Sequence, residues 1–373
     1  MLPLCAALLG VAIATPVSSP HQDPRAAYTR ALQLEKDGNY PAALALLWEA
    51  AGAMPRDADV QQRLGEALER IGALDPAIDA YRRAFAARPD FVRADTSLTL
   101  ALVKAGRAAE AVARARSRVA EAPTDPDRLF TLGLALSEHD VDEALETFRR
   151  VVALHPEHAL AHYNLGLLLK RVDRAGDAIE ALRRALAIEP RPEAQFALGT
   201  LYFHQGEFDR AVKALEAAVA AEPRFVDAHI TLAAVLKAKR RLPEAIDALR
   251  RAIALQPDSW NAHAALATAL QLAGEVDAAR QESAVAERRR MDGELERQAT
   301  TSTAVGIARL DAGDAARAVE QFRRALSVFE AYAPAHYQLG RALARLGQAD
   351  DARAAFARAR QLNPSLVAPD AGK

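Results

Sequence analysis

The chain has 373 residues, with 48 Lys and Arg against 49 Asp and Glu, so neither a strongly basic nor a strongly acidic partner surface is implied. Hydrophobic residues make up 51%, much of it alanine, and aromatics only 5%, which favours helices packed at close range over a β-sandwich. One cysteine, Cys5, excludes a disulfide framework, and the overall composition excludes collagen and a disordered chain.

Residues 1–13, MLPLCAALLGVAI, form an apolar run of signal-peptide length that is too short to span a bilayer. Ala12-Ile13-Ala14 offers an A-x-A cleavage site before Thr15, although a basic n-region is missing. Residues 1–14 are therefore expected to be a signal peptide, sending the chain to the periplasm or outside, or leaving it cytoplasmic if the leader is not a signal. Residues 15–23, rich in Pro and Ser, read as a linker.

From there the chain repeats. Pro55, Pro89, Pro123, Pro156, Pro190, Pro223 and Pro257 recur every 33 or 34 residues, each closing an amphipathic run that a proline cannot continue. Between them lie a helix, a turn often holding glycine (Gly72, Gly106, Gly206, Gly274, Gly313, Gly347) and a second helix. In the repeat that begins at Ala159, His162, Leu165, Gly166 and Leu169 share one face of the first helix, and Ala178, Leu182 and Ala185 one face of the second. Gly166 and Ala178 leave room for the backbones to approach. Such short helices are marginal alone, and each pair keeps an apolar flank that only the next pair covers, so the pairs must stack.

Leu64-Gly65, Leu132-Gly133, Leu165-Gly166, Leu198-Gly199 and Leu339-Gly340, with alanine and then proline at fixed offsets, resemble tetratricopeptide repeats. Ten repeats fit: 24–57, 58–91, 92–125, 126–158, 159–191, 192–225, 226–259, 260–293, 299–332 and 333–366. Eight thus fill 24–293, residues 294–298 are an insertion that predicts a lengthened helix or a hinge, two repeats fill 299–366, and 367–373 is a tail. Met291 and Glu330 stand where the proline is expected, Thr99 replaces the small residue, and the turn from Ser137 to Val141 is one residue short. No full capping helix follows, so the polar last helix is expected to face water itself.

The resemblance implies an all-α, right-handed α-solenoid superhelix of stacked antiparallel helix pairs, whose inner surface binds an extended peptide or a partner protein. Positions five and nine of each repeat should line that surface. From the fourth to the seventh repeat they read Phe130 and Leu134, Tyr163 and Leu167, Phe196 and Thr200, Ile230 and Ala234, an apolar stripe flanked by Asn164, Lys170, Arg171, His204 and Lys237. A partner segment with large apolar side chains and a nearby carboxylate would be satisfied there. The same rings could instead only pack against neighbours. The carboxylate clamp of chaperone-binding members is matched at Asn164 but not at its basic positions, which hold Thr131, Phe130, Phe196 and Ala197.

Arginine doublets on second helices (Arg82-Arg83, Arg149-Arg150, Arg183-Arg184, Arg250-Arg251, Arg323-Arg324) could attract phosphate, but Asp79, Glu146, Glu180, Asp247 and Glu320 stand four residues before each second arginine and should neutralise it, so no nucleic acid is expected. Catalytic motifs are absent, and Ser137, His139 and Asp140 sit in one turn where triad geometry is hard to reach. His155, His158 and His162 could ligate a metal, yet His162, His229, His263 and His336 all hold position four, a packing position in the family. The expectation is a non-catalytic scaffold without cofactor, metal or a membrane span in the mature chain. The rival is a substrate-selecting accessory module of a separately encoded enzyme such as a protein glycosyltransferase.

Overall fold

The computed structural model describes residues 23–363 and residue 366; the leader expected at 1–14, most of the linker and the tail lie outside the described residues. All the regular structure among them is helical: α1 Pro24–Lys36, α2 Tyr40–Ala53, α3 Ala58–Arg70, α4 Leu74–Ala87, α5 Val92–Lys104, α6 Ala108–Glu121, α7 Pro126–Leu136, α8 Val141–Leu154, α9 Ala159–Arg171, α10 Ala175–Ile188, α11 Pro192–His204, α12 Phe208–Ala221, α13 Val226–Ala238, α14 Leu242–Leu255, α15 Trp260–Ala273, α16 Val276–Asp311, α17 Ala315–Val328, α18 Ala333–Arg345 and α19 Ala349–Leu362. The fold is an all-α solenoid of stacked helix pairs.

The chain divides into two compact bodies, residues 122–294 and residues 1–121 with 295–373. In the first, α7 pairs with α8, α9 with α10, α11 with α12 and α13 with α14, and α8, α10, α12 and α14 each also pack on the next first helix. In the second, α1 pairs with α2, α3 with α4 and α18 with α19, while α2 packs on α3, α4 on α5 and α17 on α18. Residues 294–298 lie inside one unbroken 36-residue helix, α16.

The packing follows side-chain size. In α9, Leu165, Gly166 and Leu169 are buried as expected, while His162 is half-buried. Ala161 and Leu168 are buried as well, because α9 is covered by α8, α10 and α11 rather than by its own partner alone. A methyl group on Gly166 would lie 2.7 Å from Leu182 Cγ and 3.3 Å from the Ala178 carbonyl oxygen, so the close approach read from the sequence is real and needs glycine.

Local signals start and stop the helices. Asp57 and Asp125 each accept two backbone N–H groups at the starts of α3 and α7, and Pro24, Pro41, Pro126, Pro192, Pro243 and Pro334 occupy first-turn positions that need no donor. The six turn glycines all have positive φ; Asp173 (59°) and Arg240 (61°) adopt the same left-handed turn without being glycine.

The last helix faces water as expected, with Asp350, Asp351, Arg353 and Arg360 exposed, and Leu366 beyond it, 6% exposed, packs with Tyr337 and Ala359 as one added covering side chain. One expectation needs correction. Of the five acids before the arginine doublets, the two aspartates pair with the first arginine instead of the second, Asp79 with Arg82 at 3.3 Å and Asp247 with Arg250 at 3.9 Å, while Arg150 donates to the Pro123 carbonyl at 2.6 Å. On these helices the three-residue spacing brings the shorter Asp side chain within reach.

Candidate functional site

All ten stripe residues belong to residues 122–294. Phe130 and Leu134 lie on α7; Tyr163, Asn164, Leu167 and Lys170 on α9; Phe196 and Thr200 on α11; Ile230 and Lys237 on α13. Each of the ten is half-buried, neither sealed in the core nor fully in water. The first helices α9, α11, α13 and α15 touch one another in succession, which joins their exposed edges into one surface.

The stripe's aromatic rings are held differently. Phe130 lies 4.9 Å from the His158 ring and edge-on to Phe148 at 5.8 Å; Phe196 lies 5.0 Å from Phe225. His158 and Phe225 are the residues that precede α9 and α13, so these position-five rings brace the joint to the next repeat. Tyr163 has Arg191 at that place. Among the described residues its ring meets no other ring and its hydroxyl has no hydrogen bond, and burial, then Glu193, pushes the phenol pKa up against the pull of Arg191.

The polar flank is also unequal. Asn164 Nδ2 donates back to the Leu160 carbonyl at 2.8 Å, within its own helix. Arg171 pairs with Glu138 at 2.9 Å. Lys170 Nζ donates to Thr200 Oγ1 at 3.0 Å, tying α9 to α11, and that hydroxyl donates in turn to the Ala197 carbonyl at 2.8 Å. Partial burial lowers the Lys170 pKa.

The histidines are structural bonds. His162, His229, His263 and His336 each direct Nε2 at the backbone carbonyl six residues back, at 2.9 to 3.0 Å, fastening the start of a first helix to the turn before it. A carbonyl only accepts, so these nitrogens carry the proton. His158 caps α9, its Nδ1 accepting from Ala161 N at 3.2 Å, and burial lowers its pKa. Among the described residues no group of three or more His, Cys, Asp or Glu is placed to hold a metal ion, and no helix is long and apolar enough to cross a membrane.

Two surface hollows of about 600 Å³ were not foreseen. One is lined by Leu154, Pro156, His158 and Ile188 at the helix ends, the other by Trp260, Ala264, Thr268, Leu272, Ser283 and Arg290. The small residues 264 and 268 beside an exposed Trp260 were the available signal for the second.

A tetratricopeptide repeat family model matches residues 28–90, 130–194, 168–224, 196–254 and 230–294, more than half of the chain, and a second one matches 309–368. No curated protein matches. Among solved structures, the tetratricopeptide repeat protein TTC0263 of Thermus thermophilus is 25% identical, with 57% of this chain and 99% of that one covered and a TM-score of 0.38. MamA of Desulfovibrio magneticus RS-1 is 23% identical, with 46% and 97% covered and a TM-score of 0.36. PilF of Pseudomonas aeruginosa is 18% identical, with 55% and 94% covered and a TM-score of 0.45.

Proposed function

Because the chain belongs to the tetratricopeptide repeat family, a protein-interaction scaffold, we propose that the first-helix surface of α7, α9, α11 and α13 holds an extended apolar segment of a partner protein. The observation that supports this most is Tyr163. Its ring is half-buried in the middle of the stripe, with no hydrogen bond and without the ring neighbour that holds Phe130 and Phe196. An amphipathic ring with a free hydroxyl, with Leu167 one turn further along α9, is the kind of side chain that dominates partner binding. The reading includes no chemical step: the surface positions, and the partner or a companion enzyme acts. The expected compartment, periplasm or cell envelope, rests on residues 1–14 alone.

The test places a photoreactive side chain at Leu167 or, as a control, at the exposed Arg183 on a second helix, in the tagged chain within its native cell. Crosslinks to one partner from 167 and not from 183 are expected, and Tyr163→Ala should cut the yield about tenfold or more while leaving the helical signal unchanged, the loss typical of a central contact residue. Equal crosslinking from both positions would remove the groove from consideration.

A further inference from the structure

Charges at position twelve of a first helix are neutralised inside the chain in the first two repeats. Glu35 lies 3.4 Å from Arg63 and 3.6 Å from Arg70, and Glu69 pairs with Lys104 and accepts the Tyr81 hydroxyl at 2.8 Å. Lys170 in the fifth repeat and Lys237 in the seventh hold the same position and are treated differently: both are half-buried without a carboxylate partner among the described residues, and of the two only Lys170 is fixed by a hydrogen bond to the next first helix. The one hydrogen bond of Lys170 goes to the neutral hydroxyl of Thr200. Burial lowers its pKa with no opposing charge to restore it.

We propose that Lys170, oriented by Thr200, anchors one side-chain carboxylate of an Asp or Glu embedded in the apolar segment that lies along Tyr163 and Phe196. This rests on the reading that the groove holds such a segment. Thr200 uses its own proton on Ala197, so its oxygen can only accept from the lysine, and the two remaining ammonium hydrogens point to a further acceptor. A carboxylate satisfies both the hydrogens and the charge, whereas a neutral carbonyl leaves a partly desolvated charge uncompensated. The stripe continues on both sides of Lys170, to Phe130 and to Ile230, so the segment runs past the anchor. That favours an internal side chain over a chain terminus. Arg171 and Asn164, the other polar neighbours on α9, are already engaged with Glu138 and Leu160.

The probe is an array of short random peptides, each with free and amidated carboxyl ends, overlaid with the full chain and with Lys170→Met, which keeps the apolar stem and removes the charge. The wild type should enrich amidated peptides in which Asp or Glu adjoins Phe or Leu. Lys170→Met should capture apolar peptides as before with the acidic enrichment gone, and Lys170→Arg should retain it. For one synthesised hit, Asp→Asn should weaken binding about tenfold to the wild type and not at all to Lys170→Met, the scale of a charge-assisted hydrogen bond. Apolar capture without acidic enrichment, or the same enrichment in Lys170→Met, overturns the anchor and leaves the groove standing. Capture of free carboxyl ends only overturns the internal side chain. No capture by a wild type with a normal helical signal overturns groove and anchor together.

Discussion

The size rule at position eight can be tested by making one chemical change at two glycines. Gly199, in α11, faces Leu215 in α12, which is completely buried. A Cβ at 199 would sit 2.5 Å from Leu215 Cγ, 2.9 Å from Cδ2 and 3.3 Å from Cδ1. Carbon atoms prefer about 3.5 to 4.0 Å, so the branch carbon of a locked side chain would have to retreat by roughly 1 Å, in a core with little free volume. Overpacking of this kind costs about 1 to 3 kcal/mol, against a gain of about 1 kcal/mol for replacing glycine by alanine in a helix. With the contact at the branch point and not at a free methyl, Gly199→Ala should be net destabilising by about 1 to 2 kcal/mol. Gly176, in α10, has nothing within 4 Å of its missing Cβ, so Gly176→Ala collects only the gain. Gly176 stands in the first turn of α10, where the helix gain is smaller than in the middle of α11, so the difference between the two variants is a lower bound on the clash. Repeat arrays do not always unfold as one unit, so urea titration by circular dichroism should be joined by amide exchange resolved to α11 and α12. Faster exchange there in Gly199→Ala, relieved by adding Leu215→Ala, is expected. The reasoning fails if Gly199→Ala and Gly176→Ala raise the midpoint alike.

Asp173→Gly and Arg240→Gly should each raise the melting temperature, by about 1 kcal/mol of stability, because both residues pay for left-handed backbone that glycine adopts freely; Gly206→Ala (φ 76°) should move it the other way. Leu366→Ala should cost about 2 kcal/mol locally and show as faster amide exchange in α18 and α19, leaving α7 to α14 unchanged. Stability should also fall with acid through His158. Its folded pKa lies below the unfolded value of 6.5, so the unfolded chain binds more protons once the pH drops below about 6.5, and protonation also removes the Nδ1 lone pair that caps α9. His158→Asn keeps a cap without titrating, so its melting temperature should decline less than that of the wild type between neutral pH and the lowered histidine value; parallel decline would refute this.

The framework was legible because it is written in sizes at fixed intervals. The glycine at position eight of six repeats faces one large side chain at the equivalent place in its second helix: Tyr81, Phe148, Leu182, Leu215, Phe322 or Phe356. Turn glycines announced left-handed backbone, whereas Asp173 and Arg240 were invisible, since the chain path there is imposed by the flanking helices and not by the residue. The position-four histidines read correctly as structural residues, but their bond to the carbonyl six residues earlier needs coordinates, because it forms to Glu330 as well as to Pro156, Pro223 and Pro257 and so follows the turn's path and not the residue type. The choice of Arg82 over Arg83 depends on a side-chain length that helical spacing alone does not weigh.

The groove was less legible for a different reason: position five serves two purposes. Phe130 and Phe196 each use part of the ring to brace the residue before the next first helix, so an aromatic there serves stacking whether or not anything binds. Aromatic character alone therefore cannot mark a binding residue in such an array. What separates the two roles is whether the repeat already supplies a partner. Tyr163 meets no ring, and Lys170 meets no carboxylate, while their counterparts Phe130, Phe196, Glu35 and Glu69 are all matched from within. Both unmatched groups lie on α9, two turns apart on one helix. An unmatched ring and a half-buried, unmatched charge on one helix place together two features that a partner can recognise.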